Sequence, residues 1–133
     1  MKTTLARVHN FLAWLAVFGS IVQFFMIAMF IFSRVSLEVH ANTGRVLEGV
    51  AAIMLIVALV LRANRRTTWY SVAVFLLLFP IQGMLAYVDL PGFINALHAV
   101  TGTLILWLSY AMAAGNARAT IPVESVLKPT NAA

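Results

Sequence analysis

The sequence predicts an all-α membrane protein: a four-transmembrane-helix bundle built of two parallel-repeat helical hairpins. Three observations predict it. The 133 residues are 62% hydrophobic, with a mean hydropathy of +0.95. Only 10% are charged, against roughly 25% in a soluble domain, too few to clothe a water-facing surface. A short motif also recurs once in each half of the chain. The hydrophobicity excludes a disordered chain, and the length allows one domain.

The first helix is expected over about 9–33. No residue between Arg7 and Arg34 is charged, and that run is longer than the roughly 20 residues that suffice to cross the hydrocarbon core. The run is too long for a signal-peptide core and lacks a small-residue cleavage pattern after it. The second helix is expected over about 37–64. Its uncharged stretch runs only from Gly49 to Leu61, too short to cross by itself. To span the core it must extend upstream through Glu48, Arg45 and Gly44, with Ser36 as N-cap. Arg62, Arg65 and Arg66 end it. The third helix is expected over about 67–88, with Pro80 inside and a kink there. Asp89, Pro91 and Gly92 form a tight turn, and Pro91 suits the first turn of a fourth helix over about 92–114. The bundle thus occupies 1–114, and 115–133, with Pro122 and Pro129, reads as an irregular cytoplasmic tail.

Nine Lys and Arg against four Asp and Glu give a net charge of +5. Lys2, Arg7, Arg62, Arg65, Arg66, Arg118 and Lys128 flank apolar runs and form no basic stripe with aromatics. They read as topology determinants and exclude nucleic acid as partner. These cations fall on the side holding both termini, and only Arg34 and Arg45 fall on the other. The positive-inside rule therefore predicts cytoplasmic termini. No cysteine is present, which excludes disulfides, thiolate metal sites and covalent c-type haem.

The repeat is the most informative feature. Positions 40–44 read HANTG and positions 98–102 read HAVTG. His40 matches His98, Thr43 matches Thr101 and Gly44 matches Gly102. Gln23 precedes His40 by almost the same interval as Gln82 precedes His98. Two hairpins crossing in the same sense are related by an axis along the membrane normal. The stretch from His40 to Arg62 nearly equals the stretch from His98 to Arg118. At the helical rise both histidines lie roughly 30 Å from the cytoplasmic face, near the outer surface.

Two neutral imidazoles at one depth can ligate a haem iron from both sides, and a four-helix bundle interior is a usual place for such a site. Each histidine has a glycine one turn on, on the same face. A flat macrocycle collides with a side chain there, and glycine removes it. Thr43 and Thr101 can bond a backbone carbonyl or the cofactor's surroundings. The plainer reading is packing, since Gly and Thr let membrane helices approach closely. Another macrocycle or a quinone site also fits.

Glu48 continues the stripe His40, Gly44, Glu48 on one helix face. An intramembrane carboxylate marks a functional site by default; it can hold a proton, relay one, or pair with Arg45. Arg45 is the better placed of the two outer cations to meet a haem propionate, or it snorkels. Gln23 and Gln82 bond across helices or to a cofactor. His9 reads as an interfacial residue, not a ligand. Trp14, Trp69, Tyr70 and Tyr87 fit interfacial belts. No nucleophile–base constellation supports a hydrolase.

With HANTG opening the second helix, ALHAV opening the fourth and four hydrophobic spans, the chain resembles a family of small four-helix bacterial membrane proteins of unknown function. The resemblance covers about Phe11 to Ala114 and implies a multi-pass protein of the bacterial cytoplasmic (inner) membrane. The layout is also similar to b561-like b-type cytochromes, in which bundle histidines hold haem and glycines face it. It departs from the diheme pattern, because His9 has no partner on the cytoplasmic side. The expected function is a b-type cytochrome-like subunit carrying one electron at a time. His40 and His98 bind haem b, and Gly44, Gly102, Arg45, Thr43, Thr101 and Glu48 surround it. The alternatives are a (bacterio)chlorophyll-binding subunit and a cofactor-free structural one. Expected partners are the lipid bilayer and other membrane subunits of a respiratory or photosynthetic complex, with quinone a further option.

Overall fold

Hydrocarbon offers no hydrogen-bond partner to a peptide group, so each apolar run must satisfy its own backbone as helix. The computed structural model describes residues 2–88 and 91–119. These residues form four helical spans long and apolar enough to cross a membrane, Thr3–Ile31, Leu37–Leu61, Arg65–Ala86 and Gly92–Asn116. The expected tail from 120 onward, the Asp89 part of the turn and the Tyr87 side chain lie outside the described residues.

The first span is α1 (Lys2–Ile31). It starts well before the position expected, because the uncharged run marks the apolar part of a helix and not its hydrogen-bonded ends. Ser33, at φ 55°, turns the chain after it. The second span is α2 (Leu37–Leu61), with Ser36 in extended conformation as N-cap. Arg62 adopts a left-handed conformation, φ 49°, and its N–H bonds back to Ala58 and Leu59. The α2 helix therefore ends slightly earlier than expected.

Arg65 and Arg66 do not terminate α2 but open α3 (Arg65–Leu76). The reason is Asn64, whose side chain accepts from the Thr67 N–H at 2.9 Å and caps the new helix. A π-helical segment, Leu77–Gln82, follows and contains Pro80. Proline lacks an N–H, and its ring collides with the carbonyl four residues back. Widening one turn to the π spacing accommodates both faults. The span closes with α4 (Gly83–Tyr87). The fourth span is α5 (Gly92–Asn95) and α6 (Leu97–Ala119). Pro91 stands outside as the N-cap, at φ -50° and ψ 137°. Helix continues past the expected end, so 115–119 is not irregular.

The α1 helix packs against α2 and α6, α2 against α3, and α3 against α6. The spans thus close a ring in chain order. Ala13, Ala16, Ala51, Ala58 and Ala113 are fully buried, and such small residues let helices approach closely. Met54, Ile105, Leu108 and Met112 fill the core between them. Phe11, Phe18, Ile31, Phe32, Val46 and Phe93 point outward, each at least 63% exposed. A surface this apolar requires lipid as its solvent.

Candidate functional site

The repeat folds into two hydrogen-bonded units of the same design. In the first, Gln23 of α1 reaches across to α2, and its Nε2 donates to the His40 carbonyl and to Thr43 Oγ1, each at 3.2 Å. Thr43 Oγ1 donates back to the carbonyls of Val39 at 2.9 Å and His40 at 3.0 Å. In the second, Gln82 Nε2 donates to the His98 carbonyl at 3.1 Å. Thr101 Oγ1 donates to the carbonyls of Leu97 and His98, both at 3.0 Å. In each unit a glutamine and a threonine converge on the histidine's own backbone oxygen.

The glycines face this convergence, and at Gly44 the missing side chain makes room for it. A Cβ on Gly44 would stand 3.1 Å from Gln23 Nε2. A Cβ on Gly102 would stand 3.5 Å from Gln82 Nε2 and from the Phe24 ring. The space the sequence reserves beside each histidine is therefore first the space of a glutamine amide. Helix backbone is not what approaches here, as a plain packing motif would require.

The two units bring the imidazoles together. The His40 and His98 rings lie with centroids 6.2 Å apart and planes at 60°. They stand in the wall of a partly open cavity of about 570 Å³ that all four spans line, within the roughly 300–1,000 Å³ usual for ligand pockets. Gly44, Gly102, Gln23, Gln82 and Glu48 line it as well. Among the described residues, a few buried side-chain polar atoms have no hydrogen-bond partner, and most belong to this place: Nδ1 of His40, Nδ1 of His98, Oε1 of Gln23 and Oε1 of Gln82. An unpartnered buried polar atom costs about 1–3 kcal/mol, and such atoms are where a ligand or ordered water completes the bonding.

Not every expected residue joins them. Thr43 and Thr101 spend their hydroxyls on their own helices. Arg45 is exposed, does not line the cavity, and donates from Nη1 to Asn42 Oδ1 at 2.7 Å. The α-helical rotation turns Arg45 roughly 140° away from His40, whereas it returns Glu48 to within about 80° of it. Glu48 is half-buried in the cavity wall, so the expected Arg45–Glu48 pair gives way to Arg45–Asn42. Phe24 and Glu38 also line the cavity, and neither was singled out from the sequence. Phe24 follows directly after Gln23, and Glu38 precedes His40 by two positions; those adjacencies were the available signal.

His9, read from the sequence as interfacial and not a ligand, is buried among the helices, 2% exposed. Asn116 Nδ2 donates to its Nδ1 at 3.1 Å, and its Nε2–H donates to Ser71 Oγ at 3.1 Å. Ser71 in turn donates to the Thr67 carbonyl at 3.0 Å. Each proton in this chain is committed, and Ser71 is fully buried, so the group ties α1, α3 and α6 together and offers no nucleophile. Replacing His9 with leucine leaves Asn116 short of a partner. The expected loss is about 1–3 kcal/mol in reversible unfolding, with no change at the His40–His98 cavity.

No curated protein and no solved structure matches the chain. Residues 23–89 do match one family. The matched stretch holds Gln23, the first histidine unit and Gln82, and it stops short of His98. It covers just over half of the sequence, and the chain belongs to this family of unknown function, DUF6220.

Proposed function

We propose that the cavity holds one haem b, with His40 and His98 as axial ligands, and that the protein is an electron-transfer subunit of the bacterial cytoplasmic membrane. The separation of the two rings carries the reading. An imidazole nitrogen binds a borderline divalent metal at about 2.0–2.1 Å, so two imidazoles on opposite sides of one ion have centroids roughly 6–6.5 Å apart. The observed 6.2 Å matches. Two separate pigments, each needing one axial ligand, would give no reason for such an approach. The cavity volume and the apolar walls from Phe24, Leu78 and Ile105 suit a flat, largely apolar ligand.

When bound, the haem supplies one-electron chemistry at its iron. The chain's own contribution is placement. Gln23, Thr43, Gln82 and Thr101 hold the histidine carbonyls and so fix the two rings at one level. His40 and His98 would both be engaged in holding the haem, so the site would serve electron transfer and not substrate binding. Glu48, two turns below His40, puts a carboxyl beside the site.

Among the described residues there is one such histidine pair, near one end of the bundle. It cannot carry an electron across a hydrocarbon core roughly 30 Å thick. A partner membrane subunit, of a respiratory or photosynthetic complex, or a quinone, therefore completes the path. The excess of cations on the side of the termini supports cytoplasmic termini and a site near the outer face.

The test is an absorption spectrum of protein purified in detergent from a haem-replete host, oxidised and then dithionite-reduced. The expected result is the sharp reduced bands of a six-coordinate b haem. A colourless, folded preparation overturns the proposal. Far-red absorption overturns it in favour of a chlorophyll-type pigment.

A further inference from the structure

Gln23 and Gln82 do more than tie helices together. We infer that they are positioning residues that select the tautomer of His40 and His98. In this role each glutamine Oε1 accepts the Nδ1–H of its own unit's histidine and leaves the Nε2 lone pair free for a metal. The inference rests on the haem reading only for what the free lone pair binds.

Three observations carry it. Each glutamine's orientation is set, because Nε2 donates to the histidine carbonyl at 3.2 Å in one unit and 3.1 Å in the other. The amide oxygen is therefore the end left over. Amide N and O are about 2.2 Å apart, so Oε1 of Gln23 lies within roughly 5.5 Å of the His40 carbonyl oxygen. Nδ1 is the ring nitrogen nearer the backbone, and Gln23 and His40 line the same cavity, as do Gln82 and His98. Finally, both atoms are buried and unpartnered in both units. A buried acceptor and a buried donor, each without a partner and each present twice, are complementary. Neither bond is formed in this structure, so the inference includes a turn of each ring toward its glutamine.

The chemistry follows from imidazole itself. A neutral ring carries its proton on one nitrogen and a lone pair on the other. The hydrogen bond at one nitrogen decides which tautomer is present and how basic the other nitrogen is. An amide acceptor at Nδ1 makes Nε2 the ligand. A carboxylate acceptor at the same place makes Nε2 a stronger donor, which favours the ferric state.

The experiment measures tautomers and potentials. In the cofactor-free protein, nitrogen NMR is expected to show His40 and His98 protonated at Nδ1. Gln23→Leu and Gln82→Leu each release one histidine to a mixture of tautomers. Histidines protonated at Nε2 in the unaltered protein overturn the inference, whether or not haem binds. In haem-loaded protein, Gln23→Glu and Gln82→Glu give up the bond to the histidine carbonyl, which a carboxylate cannot donate, and leave the carboxylate to accept at Nδ1; the six-coordinate spectrum is expected to remain. Each is expected to shift the ferric–ferrous equilibrium at least tenfold toward ferric, about 59 mV for one electron. Potentials that stay put in both Glu variants, with haem bound, overturn the role of the glutamines while the haem reading stands. Failure of the unaltered protein to take up haem removes the haem reading and leaves the NMR result as the test of the tautomer.

Discussion

Replacing either His40 or His98 with alanine is expected to abolish the six-coordinate haem spectrum completely. The two rings come from different hairpins and share one gap, with centroids 6.2 Å apart. Removing one leaves an iron with a single protein ligand and an open axial position. The double variant should be little worse than either single one, because residues that act as one unit do not add. Added imidazole should restore the six-coordinate bands in His40→Ala or His98→Ala, but not in the double variant. Stability of the cofactor-free protein should hardly move. The glutamine and threonine bonds go to the backbone carbonyl, which alanine keeps. This separates the pair from His9, whose ring nitrogens are both engaged and whose loss is expected to cost stability and no colour. A six-coordinate spectrum that persists in both single variants sinks the assignment of ligands.

How much of this was readable in advance depends on what each residue's signal encodes. The spans were legible because the exclusion of charge from hydrocarbon is a composition effect. Their ends were not. The α1 helix extends back to Lys2 and α6 forward to Ala119, since backbone hydrogen bonding continues where apolar sequence stops. Asn64 could have been read as an N-cap, but three nearby arginines suggested a terminus instead. Pro80 announced a distortion, and only the backbone shows that it is a π turn.

The site divides in the same way. The matched histidines, threonines and glycines were legible because a repeat is a property of the sequence. Their convergence depends on helix azimuth, which spacing gives only within one helix. Spacing therefore put Glu48 on the stripe of His40, and the same geometry turns Arg45 away toward Asn42. What the glutamines bond to is a choice among neighbours on another helix, which no spacing encodes. The glycines show the limit best. From sequence they read as room for a macrocycle, and in the fold the nearest occupant of that room is a glutamine amide.

The glycines also give the second large effect. Gly44→Leu is expected to remove haem binding, because leucine displaces the Gln23 amide and then extends into the cavity beside His40. Even a single methyl at Gly44 would meet Gln23 Nε2 at 3.1 Å, so the amide must retreat by a few tenths of an ångström. At Gly102 the same methyl meets its nearest atoms at 3.5 Å, which is ordinary contact. The order of effect is then Gly102→Ala mildest, Gly44→Ala intermediate, and Gly44→Leu severe. Overpacking of this kind costs about 1–3 kcal/mol, or roughly 5- to 150-fold in haem affinity, measured by titrating haem into the purified protein. The order also separates the two meanings of glycine. If these glycines served only close approach of helix backbones, Gly44→Leu would lower thermal stability, and haem uptake would fall only as the folded fraction fell. Here the neighbours are side chains around a cavity. Leucine should therefore leave a folded, detergent-soluble protein that no longer takes up haem. A Gly44→Leu protein that binds haem as tightly as the unaltered chain would show that the cavity beside His40 is not where the ring lies.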